Sequence, residues 1–418
     1  MRTRKSRYVA SIDIGSTKVC AFVAVAEGSG LKVVGMGLAP ARGLRQGMVT
    51  NLSETIDSIR LALERAESQS ETVIESAYVS VGGEYLQGMN CSGIAEISGR
   101  NREVTSEDIQ KAAKDASNVE IPKDFEVVHV LTQRFQVDGQ DGISDPLGMS
   151  GRQLGVNLHV VINASAVLRN IISAVNKAGV VVDGVAMQQL ASSESILSED
   201  EKELGTFVVD IGGGTTDIAF YSHGAVWYSG VVPQGGDFVT KDIAIGIKAP
   251  ISEAEEIKKN MGNVFPENVP LEEIVEVTEV GSGAKRTIPR QLLCRIIQAR
   301  CDELLNRVAK ITREVGTKTD LSTGVVLTGG GAMLEGLRDR AELIFKMPVR
   351  LGYPVNLAAK GDSTYHPAFC TGLGLLKYAH DLSGSNGTTA LPSLKNLVSK
   401  RSRLRRDRMR NWFLEKIS

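Results

Sequence analysis

Ser11-Ile12-Asp13-Ile14-Gly15-Ser16-Thr17-Lys18 and Val209-Asp210-Ile211-Gly212-Gly213-Gly214-Thr215-Thr216-Asp217 spell the same chemistry twice in one chain. Each is an apolar strand that ends in Asp-Ile-Gly, passes through small and hydroxylated residues, and turns apolar again. The pattern predicts two β-hairpins, each with a carboxylate at the end of its first strand. Glycine lets a turn backbone approach a phosphate closely, with the turn N–H groups aimed at it. Gly15, Gly212, Gly213 and Gly214 would supply that backbone, and the hydroxyls of Ser16, Thr17, Thr215 and Thr216 add donors. Lys18 adds a positive charge, and Asp13 and Asp210 suit a hydrated Mg²⁺. Asp217 either positions a metal-bound water or ties its own hairpin together. Two such hairpins facing each other would clamp a polyphosphate from both sides.

A third stretch, Val325-Val326-Leu327-Thr328-Gly329-Gly330-Gly331-Ala332, reads as a buried strand running into a glycine turn, with a helix expected to start in Met333-Leu334-Glu335-Gly336-Leu337. Backbone without side chains at Gly329, Gly330 and Gly331 would let a flat base and its ribose lie against the chain. In this order, the three motifs resemble the actin/Hsp70/sugar-kinase ATPase superfamily. Over essentially the whole chain the sequence resembles FtsA, a family of bacterial actin-like division proteins. The resemblance implies an α/β, actin-like ATPase fold, with two duplicated halves around a nucleotide cleft and a small α+β insertion in the first half. It also implies ATP as the nucleotide.

Composition is that of a globular protein: 418 residues, 42% hydrophobic and 23% charged, enough for two or more domains. No run of about 18 apolar residues exists to span a membrane as a helix. The basic N-terminus (Arg2, Arg4, Lys5, Arg7) is followed by an apolar run broken at Asp13 and Lys18, so no signal peptide is evident. Five cysteines without C-x-x-C spacing suit reduced thiols in a cytoplasm. Charge is distributed unevenly. Residues 400–418 hold eight Lys or Arg against Asp407 and Glu415, a balance of +6, and since the chain totals −1 the remainder carries −7. An acidic body with a basic tail points to an anionic partner for the tail.

Strands are expected at 8–14, 17–26 and 32–38, a helix at about 53–68 with Ile56, Ile59, Leu63 and Ala66 on one face, and a strand at 77–81 before Gly82-Gly83. That order resembles one half of an actin-like core, residues 1–83 resumed at 164–204. Residues 84–163 read as a separate insertion lobe, with a helix at 107–116, strands at 126–132 and 155–163, and a Gly/Asp-rich loop containing Asp145-Pro146-Leu147-Gly148-Met149-Ser150-Gly151. Helices at 166–178 and 190–197, a strand at 180–186 and a loop at 198–205 lead to the second half. That half occupies 205–244 and 322–381, the latter including the return to the first half. Residues 245–321 read as a second small lobe dominated by a helix from Pro289 to Val315, with Pro289 in its first turn. Residues 382–399 have the composition of a flexible linker.

In Leu404–Ile417, Met409, Trp412, Phe413 and Ile417 recur at helical spacing among Arg405, other arginines and Lys416. Such a helix lies in a membrane interface with its apolar face inserted and its basic side chains reaching lipid phosphates. Nucleic-acid binding and a partner helix are the other readings; Trp-Phe after a linker favours an anionic membrane over nucleic acid, and FtsA carries a membrane-targeting helix at this place.

Further assignments come from the resemblance. Glu255, Glu256 and Lys258 resemble the superfamily helix that lines the adenosine side, although a charged surface helix has the same pattern. Gln188, with Gln189 its competitor, sits where relatives place a Gln or Glu that orients a water, which implies at most a slow ATPase. The implied partner is the C-terminal tail of the tubulin-like GTPase FtsZ, docked on the second small lobe, with Arg300 and Arg307 as candidate contacts. Head-to-tail self-association into filaments and recruitment of later division proteins at the cytoplasmic face of the septal membrane complete the expectation. Rival readings are a small-molecule kinase of the same fold, which leaves the tail unexplained, and an actin-like scaffold of a pilus or cell-shape system.

Overall fold

The apolar strand Tyr8–Ile14 turns through residues 15–17 into Lys18–Glu27, which returns as Gly30–Pro40, an antiparallel meander. In the computed structural model, which describes residues 8–27, 30–316, 322–355, 357–359 and 364–384, this meander is the middle of a six-stranded sheet. Ser76–Val81 pairs parallel to Tyr8–Ile14, Val181–Met187 parallel to Ser76–Val81, and Leu357–Ala359 parallel to Gly30–Pro40 at the far edge. The second sheet repeats the plan. Thr206–Ile211, Thr216–Ser222 and Ala225–Val232 form the meander, and Val325–Thr328 and then Val349–Leu351 add on in parallel. The repeated Asp-Ile-Gly motif therefore marks a duplicated topology, as the actin-like reading requires. Thr206–Ile211 and Thr216–Ser222 are buried along their whole lengths, which explains why they read as continuous apolar runs rather than alternating strands.

Helices pack on these sheets according to their apolar stripes. Leu52–Ser70, capped by Asn51, buries Ile59, Ala62, Leu63 and Ala66 against the first sheet, and Ser165–Lys177 buries Leu168, Ile171 and Val175 in the same core. The approach is close: a Cβ on Gly37 would lie 1.8 Å from the Ala62 carbonyl oxygen. Gln188–Ile196 and Cys370–Gly384 pack on each other between the halves, and a Cβ on Gly374 would fall 1.7 Å from the Ala191 carbonyl oxygen.

The insertion lobe has its own core and a four-stranded antiparallel sheet in the order Gln87–Glu96, Gln153–Ala164, Phe125–Val137, Gln140–Ile143. Its helix Ser106–Ala116 starts at a Thr105/Asp108 capping box. The lobe leans on the edge strand of the other half. Asn90 Nδ2 donates to the Trp227 carbonyl at 3.0 Å, and Gln133 Nε2 to the Val226 carbonyl at 3.0 Å. The second lobe combines Gly236–Gly246, Ile251–Met261, the hairpin Ile274–Thr278/Lys285–Pro289 and the long helix Arg290–Gly316. The stripe Leu293, Ile297, Cys301, Leu304 and Val308 joins the core of the second sheet.

Several local expectations are corrected. Pro289 ends a strand opposite Ile274 instead of opening the helix, which begins at Arg290. The span 198–205 contains a helix, Glu199–Leu204, held by a Ser198/Glu201 capping box. Gly330–Met333 is a short 3₁₀ turn, and the following helix starts only at Leu337 after Gly336 at φ +81°. The strand Gln87–Glu96 was not anticipated, and the last helix runs to Gly384, two residues into the expected linker. The rest of the linker and the tail residues Arg405, Met409, Trp412, Phe413 and Ile417 lie outside the described residues. No helix among the described residues is long and apolar enough to cross a membrane.

Candidate functional site

Both hairpins close with the same turn. Gly15 N–H donates to the Lys18 carbonyl at 3.0 Å, and Gly212 N–H to the Thr215 carbonyl at 2.9 Å. The turns meet across the cleft between the halves. A Cβ on Gly213 would lie 2.2 Å from Thr17 Cγ2, and one on Gly214 would lie 2.5 Å from Ser16 Oγ, so glycine at both positions permits the approach. Gln46 Nε2 bonds the Pro233 carbonyl at 2.8 Å and Gly47 N–H bonds Ser16 Oγ at 3.2 Å, fastening the first turn to the second half. The cleft is lined by Asp13, Gly15, Ser16, Thr17 and Lys18 on one side and Asp210, Gly212, Gly213, Gly214, Thr215 and Asp217 on the other. Gln188, Gly329, Gly330, Ala368 and Thr371 also border it.

Three buried carboxylates share this space with Lys18. Asp13 accepts from Ser80 Oγ at 2.7 Å, Asp210 from Thr371 Oγ1 at 3.1 Å, and Asp217 from Thr215 Oγ1 at 3.0 Å. The Thr215–Asp217 bond lies within one hairpin, while Asp217 Oδ1 has no hydrogen-bond partner among the described residues. Burial raises the Asp13 carboxyl above its usual range, with Lys18 opposing. Burial and the neighbouring Asp13 push Asp210 up to about 6, and burial and Asp210 push Asp217 up to about 8. Clustered buried carboxylates with one lysine are a site short of positive charge. Hard oxygen donors and an orphaned carboxylate oxygen fit a divalent cation such as Mg²⁺. Among the described residues no three His, Cys, Asp or Glu side chains converge as a direct cage.

The structure sorts the remaining candidates. Gln188 borders the cleft, with Nε2 3.4 Å from the Ile14 carbonyl oxygen, whereas Gln189 is fully buried and reaches the Gly230 carbonyl at 3.5 Å. Thr216, expected to contact phosphate, is turned away. Its Oγ1 donates to the Gln234 carbonyl at 2.8 Å, because alternate strand residues face opposite sides. Gly331 is likewise corrected: it packs on Ile211, where a Cβ would lie 2.5 Å from Cγ2, and only Gly329 and Gly330 border the cleft. Lys258 Nζ bonds Glu255 at 2.6 Å and the Gly236 carbonyl at 3.1 Å, and Gly236 N–H bonds the Gly212 carbonyl at 2.9 Å. The Glu255–Lys258 pair thus stands behind the second turn. Glu256 ion-pairs on the surface with Lys259 at 3.9 Å. Arg300 pairs with Asp242 and Glu303, each at 2.6 Å, and Arg307 with Glu303 at 2.7 Å. Sequence reasoning missed Ser80, which holds Asp13, and Thr371 and Ser192, which hold Asp210. Ser80 precedes a visible Gly-Gly turn, but nothing local marks Thr371.

Residues 207–374 match the family model "Cell division protein FtsA", and residues 83–162 match the "SHS2 domain inserted in FTSA". The chain is 40% identical over 376 residues to the cell division protein FtsA of Pseudomonas aeruginosa, covering 90% of each. It is 37% identical to that of Escherichia coli K12 over 90% of this chain and 91% of the relative, and 34% identical to that of Bacillus subtilis over 88% and 82%. Among solved structures, a PilM-PilN type IV pilus biogenesis complex aligns at TM-score 0.63 with 14% identity, covering 88% of this chain and 98% of the other. MreB5 of Spiroplasma citri bound to ADP aligns at TM-score 0.53 with 14% identity over 91% and 99%. These likenesses establish the actin-like fold, with the insertion in its first half.

Proposed function

Because the chain belongs to the FtsA family of cell division proteins, we propose that it binds Mg-ATP between its halves and tethers FtsZ filaments of the division ring to the cytoplasmic face of the septal membrane. The supporting observation for the nucleotide is the meeting of two equivalent glycine turns over buried carboxylates and Lys18. Gly15, Ser16, Thr17, Lys18 and Gly212, Gly213, Gly214, Thr215 hold the phosphates from opposite sides. Asp13 and Asp210 hold Mg²⁺ through its waters, and the bound ion supplies the positive charge this cleft lacks. Gly329 and Gly330 border the base, and Glu255 with Lys258 supports the adenosine side. Gln188, beside Asp13, orients a water; an amide cannot accept its proton as a base would, so hydrolysis is slow at most. Asp210→Ala should weaken Mg-dependent ATP binding, and Gly330→Val should block the base. ATP affinity left unchanged by both substitutions would overturn the placement.

The FtsZ tail docks on the second small lobe, where an acidic peptide at Arg300 or Arg307 must compete with Asp242 and Glu303. Self-association is head-to-tail, and the filament recruits later division proteins. Residues 400–418 anchor the assembly, with Met409, Trp412, Phe413 and Ile417 inserted and Arg405 among the residues at lipid phosphates. At about 1 kcal/mol per basic residue near an anionic surface, the tail's charge offers several kcal/mol before screening. Trp412→Glu should abolish sedimentation with anionic vesicles without unfolding the body, and arginine-to-alanine changes should weaken it in a graded, salt-sensitive way. Intact vesicle binding after truncation at residue 395 would place the anchor elsewhere.

A further inference from the structure

The two cleft carboxylates that carry the duplicated motif are held by hydroxyls of different origin. In the first half, Ser80, near the end of the strand Ser76–Val81, donates to Asp13 Oδ1 at 2.7 Å while accepting from Ile14 N–H at 3.1 Å. The equivalent strand of the second half pairs Asp210 with Thr328. Symmetry would have Thr328 hold Asp210, but its Oγ1 bonds the Gly352 carbonyl at 3.2 Å instead. Asp210 is held by Thr371, on the helix Cys370–Gly384, with Ser192 of the helix Gln188–Ile196 as a second hydroxyl.

That helix is built onto the first half. Ser11 Oγ donates to the Gly372 carbonyl at 2.7 Å, and a Cβ on Gly372 would lie 2.3 Å from Phe22 Cε2. Gly374 is locked against Ala191 one turn further along. Thr371 therefore sits on a helix anchored in the first half, next to Cys370, which also meets Gly352 of the second half. On its other side, the Asp210 carboxylate fills the space over Gly329, where a Cβ would lie 2.3 Å from Oδ1. Thr371 is itself only 8% exposed and Asp210 7%.

We propose that Thr371 is a positioning residue that orients the second-half carboxylate Asp210 from the first half, so that the Mg²⁺ site is complete only when the two halves are closed. This rests on the nucleotide reading above and extends it: metal binding and closure of the cleft are linked, because separating the halves draws the Thr371 hydroxyl away from Asp210. The effect belongs to the metal, so it should vanish when the metal is withheld.

The test is equilibrium binding of ATP to the full-length protein, in excess Mg²⁺ and in EDTA, for wild type, Thr371→Val and Thr371→Ser. Valine keeps the shape and removes the hydroxyl. In Mg²⁺, Thr371→Val should lose roughly tenfold in affinity, the scale of one hydrogen bond to a charged group, with affinity in EDTA unchanged and Thr371→Ser restoring most of the loss. Adding Thr371→Val to Asp210→Asn should cause no further loss in Mg²⁺, because the hydroxyl acts through the carboxylate. A wild-type Mg²⁺ gain in Thr371→Val would overturn the proposal and leave the nucleotide reading standing. Equal losses in Mg²⁺ and EDTA would overturn it too, assigning Thr371 to the fold. Wild-type protein that fails to bind ATP in Mg²⁺ would overturn the nucleotide reading and the proposal with it.

Discussion

Asp217 shows what the cleft does to a single residue. Its carboxyl is buried beside Asp210 and pushed up to about 8, far above the ordinary aspartate value it regains on unfolding. Between those two values the folded chain holds a proton that the unfolded chain has released. The associated stability is complete at low pH and is lost as pH rises through 8. Asp210, pushed up to about 6, acts in the same direction over a narrower window. Nucleotide-free protein should therefore lose stability between pH 6 and pH 8. Asp217→Asn, which keeps the shape without the charge, should be more stable than wild type at pH 8 by on the order of 2 kcal/mol. Urea unfolding at both pH values checks this; parallel losses in wild type and variant would mean that Asp217 is not the source.

At the scale of elements, what could be read from the chain was what repeats locally. The Asp-Ile-Gly hairpins were legible because each strand, turn and carboxylate is contiguous, and Leu52–Ser70 and Ser165–Lys177 because their apolar stripes face one sheet. Gln188–Ile196 carries no such stripe: Gln189, Ser192, Ser193 and Ser195 are all buried, since the helix is enclosed between two halves and uses small residues to fit. The strand Gln87–Glu96, with Gly88, Asn90, Ser92 and Gly93, has poor strand propensity and owes its form to pairing with Gln153–Ala164, distant in sequence. Glu199–Leu204 is different, for its Ser198–Glu201 capping box was present to be read. Thr371 was illegible because its partner is 161 positions away. The closeness of the two central helices gives its own expectation. Gly374→Ala places a methyl against the Ala191 carbonyl, with no side chain to move aside. It should destabilise the protein by about 1–3 kcal/mol in urea unfolding, and a neutral result would show that the helices can part without loss.

For the whole molecule, the insertion lobe is a brace between halves, and its central bolt is a neutral histidine. His159 is 1% exposed, with Nδ1 2.6 Å from Asn90 Oδ1 and Nε2 2.8 Å from Ser229 Oγ on the edge strand of the second half. Asn90 Nδ2 is committed to the Trp227 carbonyl and its Oδ1 accepts from Gln133 Nε2 at 3.1 Å. Nδ1 must therefore carry the proton, leaving Nε2 to accept from Ser229. Burial lowers the His159 pKa to about 4. Below its ordinary value the unfolded chain takes up a proton that the folded chain refuses. The associated stability is full above about 6.5 and is lost as pH falls toward 4, opposite in sign to the aspartates. Trp227 lies at the brace, with Arg134 stacked 4.8 Å from its ring centroid, and the only other tryptophan is Trp412. In a Trp412→Phe background, Trp227 emission should shift to the red as pH falls from 7 to 4, reporting release of the lobe. His159→Gln, which keeps a donor and an acceptor but does not titrate, should hold its emission over the same range. An equal shift in that variant would mean that another group releases the lobe, and no shift in either would mean that the brace survives protonation.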